Sequence, residues 1–135
     1  MMDDLDTKIV GMLQKDGRSS NAGIAREVNV SEGTVRRRLK KLVEEGLIQV
    51  VALPDPDKVG FHTEALIGIQ VDPGKNDLVA DALCDLREIN WVTQTAGRYD
   101  IFAWAAVTSA KELGIFLHTK VGTISGVRHS ETFIS

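Results

Sequence analysis

The chain has 135 residues, 43% of them hydrophobic, and a formal net charge of −3 at neutral pH. This length and composition allow a buried core, as one medium domain or two small ones, and exclude a disordered protein. There is no run of about 18 apolar residues and no basic-then-apolar leader after Met1, so the sequence predicts a cytoplasmic protein without a membrane span or a recognisable export signal.

The charge is distributed unevenly along the sequence. Residues 1–52 hold nine Lys or Arg and eight Asp or Glu, a balance of +1, whereas the remainder holds seven and eleven, a balance of −4. A negative total therefore does not exclude binding to nucleic acid, because the basic charge is local.

The first 30 residues predict two amphipathic helices. The first helix has apolar residues at helical spacing, namely Leu5, Ile9, Met12 and Leu13. The turn signal at Asp16-Gly17 ends it, and Ser19 or Ser20 caps a shorter second helix. The inward residues of that second helix are Ile24, Ala25 and Val28. A turn at Asn29-Val30-Ser31 follows.

A third helix is predicted from Ser31, a favourable N-cap, to Gly46, a favourable C-terminal stop. Its predicted buried stripe consists of Val35, Leu39, Leu42 and Val43. Its other side carries five cations, Arg36, Arg37, Arg38, Lys40 and Lys41. These cations repel one another, and a polyanionic partner would remove that cost; the alternative interpretation is a solvated basic face.

Two helices, a tight turn and a third helix form the plan of a helix-turn-helix, in which the last helix lies in the major groove of DNA. On this plan Ser31 opens the DNA-binding helix. The residues predicted to face the groove are Glu32, Gly33, Thr34, Arg36 and Arg37, and those predicted to hold phosphates are Arg38, Lys40 and Lys41. Arg18 and Arg26 are further candidates for phosphate contacts.

The segment after Gly46, Leu-Ile-Gln-Val-Val-Ala-Leu, is rich in β-branched residues and predicts a strand at the position of a wing or arm. Pro54-Asp55-Pro56-Asp57 then interrupts regular structure. The predicted organisation is a helix-turn-helix domain with its linking strand over 1–53, a linker over 54–60 and a second domain over 61–135.

The second domain predicts the order strand, helix, strand, strand, helix, strand. The predicted strands are Thr63–Val71, Trp91–Thr95, Tyr99–Val107 and Val127–Ile134, and the second helix opens with a Ser109-Ala-Lys-Glu112 capping box. The first helix follows Asp72-Pro73-Gly74, ends near Arg87-Glu88 and has a predicted buried stripe of Leu78, Val79, Ala82, Leu83 and Leu86. This order is that of the ferredoxin-like βαββαβ sandwich, so the chain is predicted to be an α+β protein.

The third of these strands is apolar on both faces. Because the helices of a ferredoxin-like domain cover only one face of its sheet, the other face needs a second cover. A symmetric partner supplies one, which predicts a homodimer formed through the sheets.

A run of residues through the first domain carries a family resemblance: Leu5-Asp6, Ile9, Leu13, Asp16-Gly17-Arg18, Ile24-Ala25, Val30-Ser31, Thr34-Val35, Arg38-Leu39, Leu42 and Gly46-Leu47-Ile48. The run resembles the N-terminal half of the Lrp/AsnC (feast/famine) transcription regulators. The resemblance implies a winged helix-turn-helix joined to a ferredoxin-like effector-binding (RAM) domain, without a cofactor. It also implies a sequence-specific regulator that binds double-stranded DNA, responds to an amino acid or related small effector, and forms dimers that assemble into tetramers or octamers.

The resemblance also suggests an effector site. Gly97-Arg98-Tyr99-Asp100 resembles the family's Gly-Asp-Tyr-Asp turn, where a small ligand sits between dimers, and Glu131 and Thr132 are further candidates on the same basis. Gly97 would let backbone N–H groups approach a carboxylate, and Asp100 would accept an ammonium. This chain has Arg98 where the family usually has an acidic residue. The change favours a ligand with a carboxylate, a different kind of ligand, or no ligand at this turn. The alternative interpretation is a tight hairpin without a ligand.

Two other functions compete with the regulator. Siroheme decarboxylases resemble this family in both halves and use histidines, but His62, His118 and His129 share no metal-ligand spacing, so no metal site or catalytic residue is predicted. The single cysteine, Cys84, excludes an internal disulfide and is given no role. The third hypothesis is an amino-acid-binding module that does not bind DNA.

Overall fold

The computed structural model describes all residues from Met1 to Ser135, and the chain divides into two compact units, Met1–Leu53 and Pro54–Ser135. None of its helices has the length and hydropathy that a membrane crossing needs.

The first unit contains three helices, α1 (Asp4–Lys15), α2 (Asn21–Val28) and α3 (Glu32–Glu44). Each begins after a side chain that accepts a hydrogen bond from its first turn, and these N-caps are Asp3, Ser20 and Ser31. Asn29 ends α2 in the left-handed conformation (φ 57°), which lets the chain turn directly into α3. The core between the helices consists of Ile9, Ile24, Ala25 and Val35.

The buried stripe of α3 differs from the predicted one. Val35 and Leu42 are buried, but Val43 is 46% exposed, so its prediction as a core residue is wrong. Arg38 is half-buried, unlike the exposed cations of this helix. It lies three residues after Val35 and four before Leu42, which places it on the inner side of the helix. The stripe therefore includes a cation where the sequence analysis assumed only apolar residues.

The strand predicted after Gly46 does not form. Gly46 ends α3 in the left-handed region (φ 71°) as predicted, but residues 48–53 have no regular structure. A strand requires a hydrogen-bonded neighbour, and this unit contains no other strand. Val50, Val51 and Leu53 are consequently 55%, 65% and 89% exposed.

The second unit is a ferredoxin-like α+β sandwich, as predicted. Its elements are β1 (Thr63–Val71), α4 (Asn76–Cys84), β2 (Ile89–Gln94), β3 (Ile101–Val107), α5 (Ala110–Phe116) and β4 (Val127–Ile134). The four strands form one antiparallel sheet in the order β2-β3-β1-β4. A 3₁₀ turn (Asp57–Val59) precedes β1, and a π-helical turn (Leu117–Val121) extends α5.

The core of this unit lies between one face of the sheet and the two helices. The largest buried side chains from the sheet are Ile67, Ile69 and Ile101, and α4 contributes Val79, Ala80 and Leu83. Leu78, predicted to lie in that stripe, is instead 54% exposed. The buried side of α4 is formed by Val79, Ala80 and Leu83. Leu78 lies about 100° around the helix axis from Val79, on the side away from Ala80, and therefore faces solvent.

The opposite face, which we call the open face, carries apolar side chains that no helix covers. Leu66, Phe102 and Trp104 are half-buried there, whereas Trp91 and Phe133 are 46% and 44% exposed. Strand pairing places Leu66 between Trp104 and Phe133. The carboxylate of Glu64 accepts a hydrogen bond of 2.9 Å from Trp104 Nε1.

Candidate nucleic-acid interface and effector site

Four of the five cations of α3 are exposed. Arg36 Nη1 lies 2.7 Å from Glu32, while Lys40 and Lys41 lie 3.9 and 4.0 Å from glutamates one turn later. Arg37 donates only a long hydrogen bond of 3.4 Å to Thr34 Oγ1 and has no carboxylate partner. Exposed pairs of this kind contribute little, so these cations remain available to a phosphate or a base edge.

The first turn of α3 is held by its own cap. Ser31 Oγ accepts from the Thr34 backbone N–H at 3.2 Å and lies 2.8 Å from Thr34 Oγ1. A Cβ atom at Gly33 would lie 3.5 to 3.6 Å from the guanidinium groups of Arg36 and Arg37. These are ordinary van der Waals distances, so the structure would accept a small side chain at position 33, and both guanidinium groups extend toward the start of the helix.

Arg38 differs from the other cations. Its Nη1 atom donates to Asp3 at 2.5 Å and to Asp6 at 3.2 Å, and these two carboxylates form the capping box of α1. The hydrogen bond from Arg38, followed by that from the Asp6 backbone N–H, lowers the pKa of Asp3 below its ordinary value of 3.8. Arg38 therefore fastens α3 to α1, and the phosphate contact predicted for it stays a prediction.

We expect Arg38→Ala to lower the Tm of the first unit at neutral pH, because it leaves the α1 carboxylates without their cation. The pKa of Asp3 is lower in the folded unit than in the unfolded chain, so its contribution is fully present above about pH 3.8 and is lost as the pH falls through the lowered value. Thermal unfolding followed by circular dichroism over the range from pH 7 down to pH 2 measures the effect, with Lys40→Ala as the exposed-cation control. A Tm loss that stays the same over this whole range would contradict this role.

The candidate effector turn lies between β2 and β3. Gly97 has φ 129°, a conformation that side-chain-bearing residues rarely adopt, and the Thr95 N–H donates to the Asp100 carbonyl at 2.9 Å. Asp100 Oδ2 accepts from the Val71 N–H at 2.9 Å, which ties the turn to the end of β1. One carboxylate oxygen of Asp100 is therefore already engaged by the backbone.

The ring of Tyr99 packs against β1 at Gly68, which has no side chain. A Cβ atom at Gly68 would lie 2.9 Å from Tyr99 Cγ, so only glycine lets the ring lie against β1. Tyr99 is 9% exposed, and its ring meets that of Phe102 edge-on, with 5.4 Å between the ring centroids. The Arg98 guanidinium lies 5.7 Å from the centroid of the Tyr99 ring. The sequence analysis missed Gly68, although glycine inside a strand is a recognised sign of close approach.

The two candidates on β4 face opposite sides of the sheet. Glu131 pairs with Gly68 and Thr132 pairs with Ile67, and successive strand residues point in opposite directions. Glu131 therefore shares the open face with Tyr99, whereas Thr132 lies on the helix-covered face. The structure brings Glu131, but not Thr132, to the side of the turn where Tyr99 lies.

No group of three or more His, Cys, Asp or Glu side chains is arranged to hold a metal ion. His62 Nδ1 lies 2.6 Å from an Asp57 carboxylate oxygen, and both side chains are exposed.

Comparison with known proteins agrees with this two-part architecture. Residues 2–49 match the profile described as winged helix-turn-helix DNA-binding, and residues 64–135 match the Lrp/AsnC ligand binding domain. The chain belongs to the Lrp/AsnC family. An uncharacterised HTH-type transcriptional regulator of Pyrococcus furiosus is 42% identical over 99% of this chain and 91% of its own length.

Solved structures of Lrp/AsnC proteins have the same fold. AsnC of E. coli superposes with a TM-score of 0.86 at 27% identity, over 100% of this chain and 92% of that one. A transcriptional regulator of Neisseria meningitidis, solved as a complex with L-Met, gives a TM-score of 0.89 at 25% identity, over 100% and 90%.

The chain is thus a transcriptional regulator of the Lrp/AsnC family with a helix-turn-helix DNA-binding domain. The prediction that it is not an enzyme is confirmed, because the relatives are transcriptional regulators. This finding decides against the decarboxylase hypothesis.

Proposed function

We propose that this regulator binds double-stranded DNA sequence-specifically in the cytoplasm, with α3 in the major groove. The observation that carries the proposal is the exposed row Arg36, Arg37, Lys40 and Lys41, in which Arg37 has no carboxylate partner. A guanidinium can donate two parallel hydrogen bonds to guanine O6 and N7, and the Thr34 methyl can contact thymine. Lys40 and Lys41, farther along the helix, hold phosphates.

The test is fluorescence anisotropy with the promoter region upstream of the chain's own gene. We expect binding that weakens steeply between 50 and 200 mM salt, because cations that neutralise phosphates release counterions. Retained discrimination against a scrambled duplex at the higher salt supports sequence-specific readout. Absence of binding at 50 mM salt would favour the competing hypothesis of a ligand-binding module that does not bind DNA.

We further propose that the chain acts as a homodimer formed through the open face, with dimers assembling into tetramers or octamers. Trp91, Trp104 and Phe133 expose apolar area on this face, and burial of such area stabilises association. A two-fold dimer also presents two copies of α3 to one duplex, which favours operators with two related half-sites.

The proposed effector is an amino acid or a related small molecule bound at the turn formed by Gly97, Arg98, Tyr99 and Asp100, with Glu131 beside it. The Neisseria regulator solved with L-Met supports an amino acid as the class of ligand. Arg98 supplies a cation for a carboxylate, and the carboxylates of Asp100 and Glu131 can accept hydrogen bonds from an ammonium. The effector can change assembly only if it binds one assembly more tightly than another.

We expect Asp100→Asn to abolish the effect of the amino acid on DNA binding while the turn stays folded. The asparagine oxygen can still accept from the Val71 N–H, but the negative charge that attracts an ammonium is lost. A thermal-shift screen of the twenty amino acids identifies the effector, since a ligand at 100 times its Kd adds about 2.7 kcal/mol. The identified effector is then titrated into the anisotropy assay with both chains, and an undiminished response in the variant would place the effector elsewhere.

A further inference from the structure

The backbone of the turn that joins β2 to β3 offers hydrogen-bond donors more than acceptors. The Arg98 carbonyl accepts a hydrogen bond of 2.9 Å from Gln70 Nε2. The carbonyls of the next two residues accept from the side chain and the backbone of Thr95, at 2.7 and 2.9 Å. By contrast, the N–H groups of residues 96–99 have no acceptor within the chain. These N–H groups are therefore free to bind an anion.

Arg98 adds a second donor group that no carboxylate of the chain occupies. Its side chain is exposed, and none of the ion pairs of the chain includes it. The Tyr99 ring, 5.7 Å away and itself buried against Gly68, holds the guanidinium beside the turn. The guanidinium can therefore receive a carboxylate through two parallel hydrogen bonds.

The acceptors beside the turn are fewer than the donors. One carboxylate oxygen of Asp100 is bonded to the Val71 N–H, which leaves the other oxygen free. Glu131 is half-buried on the open face, opposite Gly68, and forms no ion pair. One ammonium group can use both carboxylates, whereas one carboxylate would leave most of the donors unused. The turn thus matches a ligand with more carboxylate than ammonium groups.

We propose that the effector is an acidic amino acid, aspartate or glutamate, an inference that rests on the effector site proposed above. Its α-carboxylate accepts from the free N–H groups of the turn, and its ammonium donates to Asp100 and Glu131. Its side-chain carboxylate binds the guanidinium of Arg98. A neutral amino acid leaves that guanidinium without a side-chain partner, and a basic one brings a second cation toward it.

Calorimetric titration of the full chain with glutamate, glutamine, aspartate and asparagine tests the need for a charged side chain, because each amide has nearly the shape of its acid. The better-fitting acid is expected to bind at least about tenfold more tightly than its amide, since a charge-assisted pair with Arg98 is the stronger one. Equal or tighter binding of the amides would overturn the acidic class. Tighter binding of leucine or lysine than of both acids would do the same.

Those outcomes would leave an amino-acid effector standing. Absence of binding by any of the twenty amino acids would overturn the proposed effector function together with the acidic class, so the two failures are distinguishable.

Variants at Arg98 locate the side-chain carboxylate. Arg98→Gln is expected to weaken the acid about tenfold or more and its amide less than about threefold, because only the acid needs the cation. Arg98→Lys keeps the charge without the paired hydrogen bonds, and its effect should lie between. Lys111→Ala removes an exposed cation of α5 and should leave both affinities unchanged. Equal losses of acid and amide in Arg98→Gln, or no loss, would refute this contact.

Glutarate and succinate separate an amino acid from a plain dicarboxylic acid, because they have the two carboxylates of glutamate and aspartate without the ammonium. Each is expected to bind at least about tenfold more weakly than the corresponding amino acid. Asp100→Asn should narrow that difference, since it removes a charge that attracts the ammonium. A dicarboxylic acid that binds as tightly as its amino acid would overturn the assignment to amino acids.

Discussion

Alanine at Arg36 or Arg37 is expected to weaken binding to the cognate operator by about 1–3 kcal/mol each, because each loses hydrogen bonds to a base edge. Both guanidinium groups lie on the exposed side of α3 near its start, the part of a recognition helix that meets base edges. Fluorescence anisotropy with the operator and with single-base variants measures the loss, and discrimination should relax at the base that each arginine contacts.

The matched control for these variants is Arg128→Ala, an exposed cation on β4 in the other unit. Lys40→Ala serves as an internal comparison, because loss of a phosphate contact weakens all sequences by a similar factor and reduces the salt slope by about one. Unchanged operator affinity in both Arg36→Ala and Arg37→Ala would refute the assignment of α3 to the groove.

Phe133→Asp is expected to dissociate the proposed dimer, since association would bury one unpaired carboxylate from each protomer. An unpaired charge at an interface costs about 3 kcal/mol or more, and two-fold symmetry doubles that cost. Phe133 is 44% exposed in the single chain, so the variant should still fold. Sedimentation equilibrium over a range of concentrations reports the change as a shift toward the monomer mass.

Leu78→Asp is the matched control, because Leu78 is a similarly exposed apolar residue on α4 rather than on the open face. It should keep the oligomeric state of the original chain. If Phe133→Asp and Leu78→Asp sediment alike, the chains do not associate through the open face.

The features that sequence analysis predicted well depend on neighbours along the chain. Ser31 and Gly46 mark the ends of α3 through a cap hydrogen bond and a left-handed backbone, which need no tertiary partner. The alternation of apolar residues likewise predicted the bounds of β1, and the predicted bounds of β4 also agree with the structure.

The features that it missed depend on residues distant in sequence. The propensity of residues 47–53 for strand was real, but a strand also needs a neighbour that this unit does not provide. Arg38 was grouped with the other cations because the carboxylates that bind it lie on α1. The spacing of Arg38 from Val35 and Leu42 nevertheless indicated that its side chain lies on the buried side of α3.

The candidate sites likewise depend on contacts between residues that are distant in sequence. The sequence indicated the turn at Gly97, but not that Asp100 engages the backbone of β1 or that Gly68 receives the ring of Tyr99. The assignments of DNA-binding and effector residues stay predictions until the variants above are measured.

Asp3 has two structural roles: it is the N-cap of α1, and its carboxylate forms an ion pair with Arg38 of α3. Removal of the first three residues, by an aminopeptidase or by proteolysis during purification, would therefore weaken the attachment of α3, the proposed DNA-binding helix, although the cleavage site lies far from it in sequence. Batches that differ in this way would show different operator affinities with an intact α3, so intact-mass measurement should precede any comparison of binding data.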